Sequence, residues 1–273
     1  MSNHPYLDQI LNRKRKEVQA LIKRADQDPQ NLLHQTLSQE RKANGRFASA
    51  LKGPKLGIIA EVKRRSPSVG KIGEIVDPAK LALNYCQGGA SAISVLTDLG
   101  GFGGTLKDLQ QVSQEISCSR AVVPVLRKDF IIHPLQLAEA ALAGASAVLL
   151  IAGLLGKELK VFLEASVRLG LEALTEVHDV EDLELTLEAG APIIGVNNRN
   201  LRTFEVDLKR SEELRPRIPP SAIAVAESGI RTPDQAKRMH ELGYDAILVG
   251  EAFVQSKDPA ALIALMRGEE HAN

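Results

Sequence analysis

The sequence predicts an α/β protein, a (β/α)8 TIM barrel with an N-terminal helical extension. A glycine followed by a short, β-rich apolar run recurs along the chain, and repetition of this kind indicates a repeated supersecondary unit. Segments with helical periodicity separate the runs. The runs are apolar almost throughout, which is typical of parallel strands covered on both faces. Together, these three observations favour a closed barrel of strands surrounded by helices.

The N-terminal 50 residues lack the glycine-led apolar runs of the rest of the chain and have helical patterns instead. Residues 6–24 and 31–39 have helical patterns, and residues 13–16 read Arg-Lys-Arg-Lys. Such a basic run occurs in nucleic-acid patches, but more often it is the solvated face of an amphipathic helix. We expect the solvated face. We also expect residues 1–50 to pack on the barrel as an extension within a single domain of residues 1–273.

Eight strand-like runs follow, within a barrel core expected at residues 57–255. They begin at Gly57, Gly89, Val122, Gly144, Gly170, Gly190, Ala222 and Gly243. The clearest helical segments between them are 78–87, 134–143, 157–169, 180–189 and 233–242. Barrels of this class usually contain ~250 residues. A doubly wound open sheet is the alternative, but no Gly-x-Gly-x-x-Gly turn follows the first run, which weakens its dinucleotide-binding form.

Composition limits the classes of partner. The 273 residues include 34 Lys and Arg against 34 Asp and Glu, so a net charge of zero provides no general attraction for nucleic acid or membranes. The longest apolar runs fall well short of the ~20 residues that span a bilayer, and no secretory signal is visible. We therefore expect a cytoplasmic protein without a nucleic-acid or membrane partner.

Charged side chains end several of the predicted strands, where this architecture carries its reactive groups. Glu61 and Lys63 share one side of the first strand, and Asn197 and Arg199 share one side of the sixth, because side chains alternate along a strand. The third and fifth strands end in two further groups, Lys128 and Glu176. If these groups converge on one pocket mouth, they can donate and accept protons. The alternative is a ring of salt bridges that only stabilises the barrel.

The last two strands end in glycine-containing segments, residues 227–229 and 250–251. Barrels of this class usually bind phosphate there, between two loops and a helix N-terminus. Taken alone, these glycines fit simple turns as well, but their joint presence favours a phosphate site. The sequence contains no metal-binding or nucleotide-binding motif, so we expect neither a metal nor another cofactor.

Several of these segments resemble the indole-3-glycerol phosphate synthase family. The resemblance runs from about residue 5 to 265, in segments 59–68, 94–98, 102–106, 125–132, 174–178, 194–201, 226–230 and 248–251. Its most specific element is the Glu-x-Lys-x-x-Ser-Pro-Ser motif of residues 61–68 together with Lys-Asp-Phe at 128–130. It implies a carboxy-lyase of tryptophan biosynthesis. The implied reaction closes 1-(2-carboxyphenylamino)-1-deoxyribulose 5-phosphate to indole-3-glycerol phosphate, with loss of carbon dioxide and water and without a cofactor. The implied partner is this small sugar phosphate, and we expect a monomer.

The resemblance also implies catalytic roles for individual residues. Lys128 would be the general acid of ring closure, and Lys63 and Glu176 would transfer protons in the later steps. Glu61 would position this network, while the choice between Lys63 and Glu176 for protonating the leaving hydroxyl stays open. Asn197 would complete the set by binding polar groups of the substrate.

Substrate binding is implied for nine further residues. Arg199, together with Asn197, would bind polar groups of the substrate, including its carboxylate, with Ser228 nearby. Around the phosphate would lie Ser66, Gly229, Gly250 and the backbone of Glu251. The aromatic ring would rest on Phe102, Phe130 and Leu201.

Two other functions fit the same residues. A barrel aldolase would use Lys63 or Lys128 to form a Schiff base with a sugar phosphate. A non-catalytic barrel would bind a phosphate ligand without turnover. The chain also departs from the family pattern at Val69, Gly101 and His133, so we expect the loop after the second strand to close differently over the substrate.

Overall fold

A computed structural model describes residues 5–28, 30–41, 45–67, 69–119, 121–200, 203 and 205–269. Eight parallel strands form a closed barrel in which each strand pairs with its neighbours in chain order. The first strand pairs with both its sequence neighbour and the last strand. This closure confirms the predicted TIM barrel, and the open-sheet alternative is wrong.

The strands follow the predicted glycine-led runs, with one addition. A short antiparallel hairpin, β2 and β3, lies in the loop after the first barrel strand and was not predicted. The strands are β1 (Gly57–Val62), β2 (Arg65–Ser66), β3 (Gly70–Lys71), β4 (Ala92–Leu96), β5 (Val125–Lys128), β6 (Ala147–Ile151), β7 (Glu172–Val177), β8 (Ile193–Asn197), β9 (Ile223–Glu227) and β10 (Ala246–Val249).

Helices surround the barrel and connect its strands. The five predicted helical segments between strands each contain a helix, and several further helices were not predicted. The helices are α1 (Pro5–Asp26), α2 (Leu32–Ser38), α3 (Arg46–Leu51), α4 (Pro78–Gln87), α5 (Leu99–Phe102), α6 (Leu106–Cys118), α7 (Pro134–Leu142), α8 (Ala152–Leu155), α9 (Leu159–Arg168), α10 (Val180–Ala189), α11 (Lys209–Leu214), α12 (Pro233–Glu241), α13 (Glu251–Gln255) and α14 (Pro259–Met266). None of the helices in the described part of the chain has the length and apolarity needed to cross a membrane.

Alternation along the strands separates an apolar barrel interior from a charged upper rim. Ile59, Leu126 and Leu174 belong to the buried interior cluster, and the next residues of the same parity carry charge. Helix α3 closes the opposite end, where the Glu172 carboxylate accepts hydrogen bonds from the Phe47 N–H (2.7 Å) and from that of the next residue (3.0 Å). The apolar fill below therefore leaves the C-terminal rim as the place for chemistry.

The basic run of α1 is only partly a solvated face. Arg15 and Lys16 are exposed, as predicted, but Lys14 is buried. Its Nζ atom lies 3.1 Å from Asp98 Oδ1 and 2.8 Å from Asp129 Oδ1. The prediction is therefore wrong for Lys14, because two buried aspartates from the barrel draw this one cation inward.

Candidate active site

One cavity opens at the C-terminal ends of the barrel strands. It is lined by every predicted site residue that the structure describes: Glu61, Lys63, Ser66, Phe102, Lys128, Phe130, Glu176, Asn197, Arg199, Ser228, Gly229, Gly250 and Glu251. Leu201 lies outside the described residues. The strand-end groups thus converge as expected, although they come from distant parts of the chain.

The centre of the cavity floor is a lysine held between two carboxylates. Lys128 Nζ donates a hydrogen bond of 3.1 Å to Glu176 Oε2 and one of 2.8 Å to Glu227 Oε2. Both glutamates are buried. Sequence reasoning missed Glu227, which lies beneath Lys128 at the end of β9. Strand alternation could have identified it: Glu227 lies two residues after Val225, which fills the barrel interior, so both side chains are on the same side of the strand.

The same cluster gives its members different proton affinities. Burial on its own lowers the pKa of Lys128, but the charges of Glu227, Glu176 and Glu61 outweigh burial and raise this pKa above its ordinary value. Burial likewise raises the pKa of Glu176, yet the charge of Lys128 and the contacts with His178 and Asn197 hold it well below the ordinary range. Lys128 is therefore an ammonium, and Glu176 is a carboxylate.

Glu227 behaves in the opposite way. Burial is the largest influence, and together with the like charges of Glu176 and Glu61 it outweighs the attraction of Lys128 and raises the pKa of Glu227 to about 7. Its Oε1 atom is buried and accepts no hydrogen bond within the described residues. Room for this oxygen comes from Gly195 on β8, where a Cβ atom would overlap it. Glu227 is thus a carboxyl that gains or loses a proton near neutral pH.

A second lysine–glutamate pair lies on the first strand. Lys63 Nζ and Glu61 Oε1 are 2.6 Å apart. The predicted alternation on β1 is therefore correct, since both side chains point into the cavity. Gly250 of the last loop packs against this pair, because a Cβ atom there would lie 2.7 Å from Glu61 Oε1. The close packing of Glu61 therefore requires glycine at this position.

The proposed phosphate corner contains backbone that only small residues tolerate. Ser228 and Gly229 both have positive φ angles, 65° and 82°. The carboxylate of Glu251 does not stand alone at this corner, because Arg231 Nη2 donates a hydrogen bond of 3.0 Å to its Oε1 atom. Arg231 also lines the cavity and was missed by sequence reasoning. This cation offsets the repulsion that Glu251 would exert on an anion.

Two aromatic rings form an apolar wall. The ring centroids of Phe102 and Phe130 are 6.3 Å apart. Phe102 ends the short helix α5, whose first turn is capped by Asp98, which accepts a hydrogen bond of 2.7 Å from the Gly101 N–H. A Cβ atom at Gly101 would lie 2.7 Å from this Asp98 oxygen. The departure from the family pattern at Gly101 therefore suits the cap.

The loop that carries Phe102 is tied to the hairpin above the cavity. Arg65 Nη2 donates hydrogen bonds to the carbonyl oxygens of Leu99 (2.6 Å) and Gly100 (2.9 Å). Arg64 binds both carboxylate oxygens of Asp108 at 2.8 and 2.9 Å. These contacts fix the two loops against each other over the cavity.

Within the described residues no group of three or more His, Cys, Asp or Glu side chains is arranged to hold a metal ion.

Comparison with known proteins gives a consistent family match. The family model described as "Indole-3-glycerol phosphate synthase" matches residues 7–266. A protein of that name from Opitutus terrae is 46% identical over 264 residues, covering 96% of this chain and 98% of that protein. One from Chlorobium phaeovibrioides is 46% identical over 260 residues, covering 94% and 97%. A third, from Dehalococcoides mccartyi strain CBDB1, is 49% identical over 216 residues, covering 79% and 83%.

Solved structures resemble the chain at the level of the fold. The tryptophan synthase alpha chain from Legionella pneumophila subsp. pneumophila has a TM-score of 0.61 at 14% identity, covering 82% of this chain and 96% of that one. Thiamine phosphate pyrophosphorylase from Pyrococcus furiosus has a TM-score of 0.58 at 19% identity, covering 78% and 94%. At such identities the likeness supports the barrel alone.

Proposed function

Because the chain belongs to the indole-3-glycerol phosphate synthase family, we propose that its cavity carries out the family's reaction through the two lysine–glutamate clusters. The family consists of decarboxylating lyases of tryptophan biosynthesis that act on a small phosphorylated substrate. The reaction closes 1-(2-carboxyphenylamino)-1-deoxyribulose 5-phosphate to indole-3-glycerol phosphate. The observation that carries our assignment of roles is the Lys128 ammonium between Glu176 and Glu227 on the cavity floor.

Ring closure needs an acid at the substrate carbonyl. The aromatic carbon that bears the carboxylate attacks the carbonyl carbon, and negative charge develops on the carbonyl oxygen. Lys128 is kept as an ammonium by its buried partners, so it can stabilise that charge and pass a proton to the oxygen as the carbon–carbon bond forms. Loss of carbon dioxide then restores the aromatic ring.

Dehydration needs one proton delivered and one removed. The new hydroxyl leaves as water after protonation, and the neighbouring carbon loses a proton to complete the indole ring. We assign these transfers to Lys63 and Glu176, with either of them protonating the hydroxyl, and Glu61 holds Lys63 at 2.6 Å. Over the whole cycle one proton is taken up, because the carboxylate leaves as neutral carbon dioxide. Glu227, whose pKa is raised to about 7, is suited to restore the proton that Lys128 gives away.

The rest of the cavity offers complementary groups for the substrate. We assign Asn197, Arg199 and Ser228 to its polar groups, including the carboxylate. Ser66, Gly229, Gly250 and the backbone N–H of Glu251 would surround the phosphate. The ring would lie against Phe102 and Phe130, with Leu201 as a further predicted contact. We also propose a cytoplasmic monomer that acts as a single domain, with residues 1–50 as an extension and 57–255 as the barrel core, and without nucleic-acid or membrane partners.

Two other functions are less well supported. A Schiff-base aldolase needs a neutral lysine as nucleophile, which usually requires a lowered pKa, whereas the pKa of Lys128 is raised. Borohydride trapping of a lysine adduct would favour that reaction. A non-catalytic barrel would bind the sugar phosphate without turnover. A non-catalytic barrel would give no role to Glu176 and Glu227, two carboxyls beside Lys128 whose pKa values are shifted in opposite directions.

A direct assay tests the proposal. Purified protein mixed with the anilino-deoxyribulose phosphate should release carbon dioxide and produce indole absorbance. Lys128→Met should lower kcat by about 10²- to 10⁴-fold, the usual contribution of a positioned acid. Lys107→Met is a matched control, because Lys107 is an exposed lysine on α6. A Lys128→Met rate close to that of the wild type would overturn the assignment of the acid.

A further inference from the structure

His178 lies behind Glu176, on the side away from Lys128. It is the first residue after β7, and its Nε2 atom is 3.3 Å from Glu176 Oε1. The other carboxylate oxygen, Oε2, is 3.1 Å from Lys128 Nζ. Each oxygen of Glu176 therefore faces a different nitrogen, one from Lys128 and one from His178.

Asp182 on α10 fixes His178 in this position. Its Oδ2 atom lies 3.5 Å from His178 Nδ1 and accepts a hydrogen bond of 3.0 Å from the His178 backbone N–H. The backbone N–H of Asp182 donates a hydrogen bond of 2.9 Å to the side chain of Asp179, which caps the helix. Space for the Asp182 carboxylate depends on Gly153, where a Cβ atom would lie 2.6 Å from Oδ1.

The surroundings of His178 favour its charged form. Burial on its own lowers the pKa of His178, but the close contacts with the Asp182 and Glu176 carboxylates, and their charges, outweigh burial and raise the pKa to about 9. The nearby charged groups are Glu176 at the end of β7, Asp179 and Asp182 at the start of α10, and Arg210 of α11, with Lys128 and Glu227 beyond Glu176. His178 is therefore an imidazolium at neutral pH.

We propose that His178 is a positioning residue for the reaction assigned above. Its imidazolium, held by Asp182, keeps Glu176 ionised before the substrate binds, so that Glu227 is the carboxyl that exchanges protons with Lys128. The inference rests on the proposed function, since it assigns a division of labour within that site. It requires no contact between His178 and the substrate.

The two carboxylates around Lys128 differ in the number of cations that they face. Glu176 faces Lys128 with one oxygen and His178 with the other. Glu227 faces Lys128 with one oxygen only, and its Oε1 atom lies buried against Gly195 and forms no ion pair in the described part of the chain. A second cation within hydrogen-bonding reach lowers a carboxyl pKa by about one to three units. His178 therefore accounts for the opposite behaviour of two glutamates that share one lysine.

A second cavity connects His178 with solvent. This cavity is lined by His178, Asp182 and Arg210, with Leu7 and Leu11 of α1 on its other side. The described residues that line the cavity proposed for the substrate do not include His178. Bound substrate therefore leaves His178 free to exchange its proton with water. The influence of His178 on Glu176 should therefore persist in the enzyme–substrate complex.

Two variants and a control test the proposal. His178→Gln removes the charge, and His178→Lys retains a cation. His34→Gln is a matched control, because His34 forms an exposed pair with Asp26 at 3.2 Å, far from the site. The acid midpoint of Glu176 is read by carbon-13 NMR of glutamate-labelled protein, with the Glu176 signal identified by its loss in Glu176→Gln. The pH profiles of kcat and KM are measured alongside.

We expect His178→Gln to raise the Glu176 midpoint by about one unit or more, with KM within about twofold of wild type. We expect His178→Lys to restore the midpoint, and His34→Gln to leave it unchanged. If His178→Gln does not fold, Gly153→Ala, which displaces Asp182, makes the same test. An unmoved Glu176 midpoint in a folded variant overturns the inference, whereas a wild-type protein without turnover overturns the proposed function instead.

Discussion

Lys14 of the N-terminal helix places its Nζ atom 2.8 Å from Oδ1 of Asp129, the residue that directly follows Lys128. The second buried aspartate in its reach, Asp98, caps the short helix that ends in Phe102. Burial on its own raises the pKa of Asp129, but the charges of Arg127 and Lys14 outweigh burial and lower this pKa. One cation of α1 thus fixes the segment that carries the proposed acid and the loop that carries an aromatic wall.

We expect Lys14→Met to lower the free energy of unfolding by about 3 kcal/mol, because removing one member of a buried ion cluster leaves its partners uncompensated. The value should lie at the lower end of the usual range, since Arg13 still reaches Asp98 and Arg127 still reaches Asp129. Urea unfolding measures the change. Lys16→Met, on the same helix but exposed, should change stability by less than about 0.5 kcal/mol. Equal stability of the two variants would contradict this account.

Glu227→Gln should change how stability depends on pH. A carboxyl whose pKa is raised from 4.5 to about 7 on folding supports the folded state below its unfolded pKa and loses that contribution as pH rises through the folded pKa. The glutamine variant has no such loss. We therefore expect the stability of Glu227→Gln relative to wild type to increase between about pH 4.5 and 7, by on the order of 1 to 3 kcal/mol. Urea titrations across this range measure it, and a difference that is constant with pH would count against the raised pKa.

Strand alternation made much of this site predictable. Glu61 and Lys63 were assigned to one side of their strand from their spacing, and they form an ion pair of 2.6 Å in the cavity. The recurring glycine-led runs predicted the closed barrel. Helix α6, between the second and third barrel strands, was not predicted, although Thr105 and Asp108 form a capping box at its start.

Other features depend on contacts that no local pattern contains. The charges of the α1 basic run look equivalent in sequence, and only the meeting of Asp98 with Asp129 selects Lys14 for burial. The sequence around Glu227 indicates only a glycine-containing turn, since the role of Glu227 depends on Lys128 reaching across the barrel from β5. In both cases tertiary contact between distant segments determines the environment of the charge.

Gly153→Ala should weaken the hold of Asp182 on His178. An added Cβ atom would lie 2.6 Å from Asp182 Oδ1, so the carboxylate must move. We expect a smaller rise in the Glu176 midpoint than in His178→Gln. Gly53→Ala is the matched control, because its added atom would meet nothing closer than 4.0 Å. An unchanged Glu176 midpoint in Gly153→Ala would contradict the role of Asp182 and His178 in keeping Glu176 ionised.

Ser228→Gly should separate stability from substrate binding. Among the described residues, Ser228 is the one non-glycine with a positive φ angle, 65°. Asn198 holds this backbone by donating hydrogen bonds from Nδ2 to the carbonyl oxygens of Glu227 (3.0 Å) and Ser228 (3.2 Å). A residue held in this region costs about 1 to 3 kcal/mol. Glycine removes the cost but adds freedom to the unfolded chain, which offsets part of the gain.

We therefore expect Ser228→Gly to raise the free energy of unfolding by up to about 1 kcal/mol and to raise KM, because the hydroxyl proposed to contact the substrate is lost. Ser228→Ala keeps the strained backbone and loses the same hydroxyl, so it should raise KM equally without gaining stability. Urea unfolding and steady-state kinetics distinguish the two effects. A wild-type KM in both variants would remove Ser228 from the binding site, whereas a stability gain in neither would mean that the Asn198 hydrogen bonds fully compensate the strain.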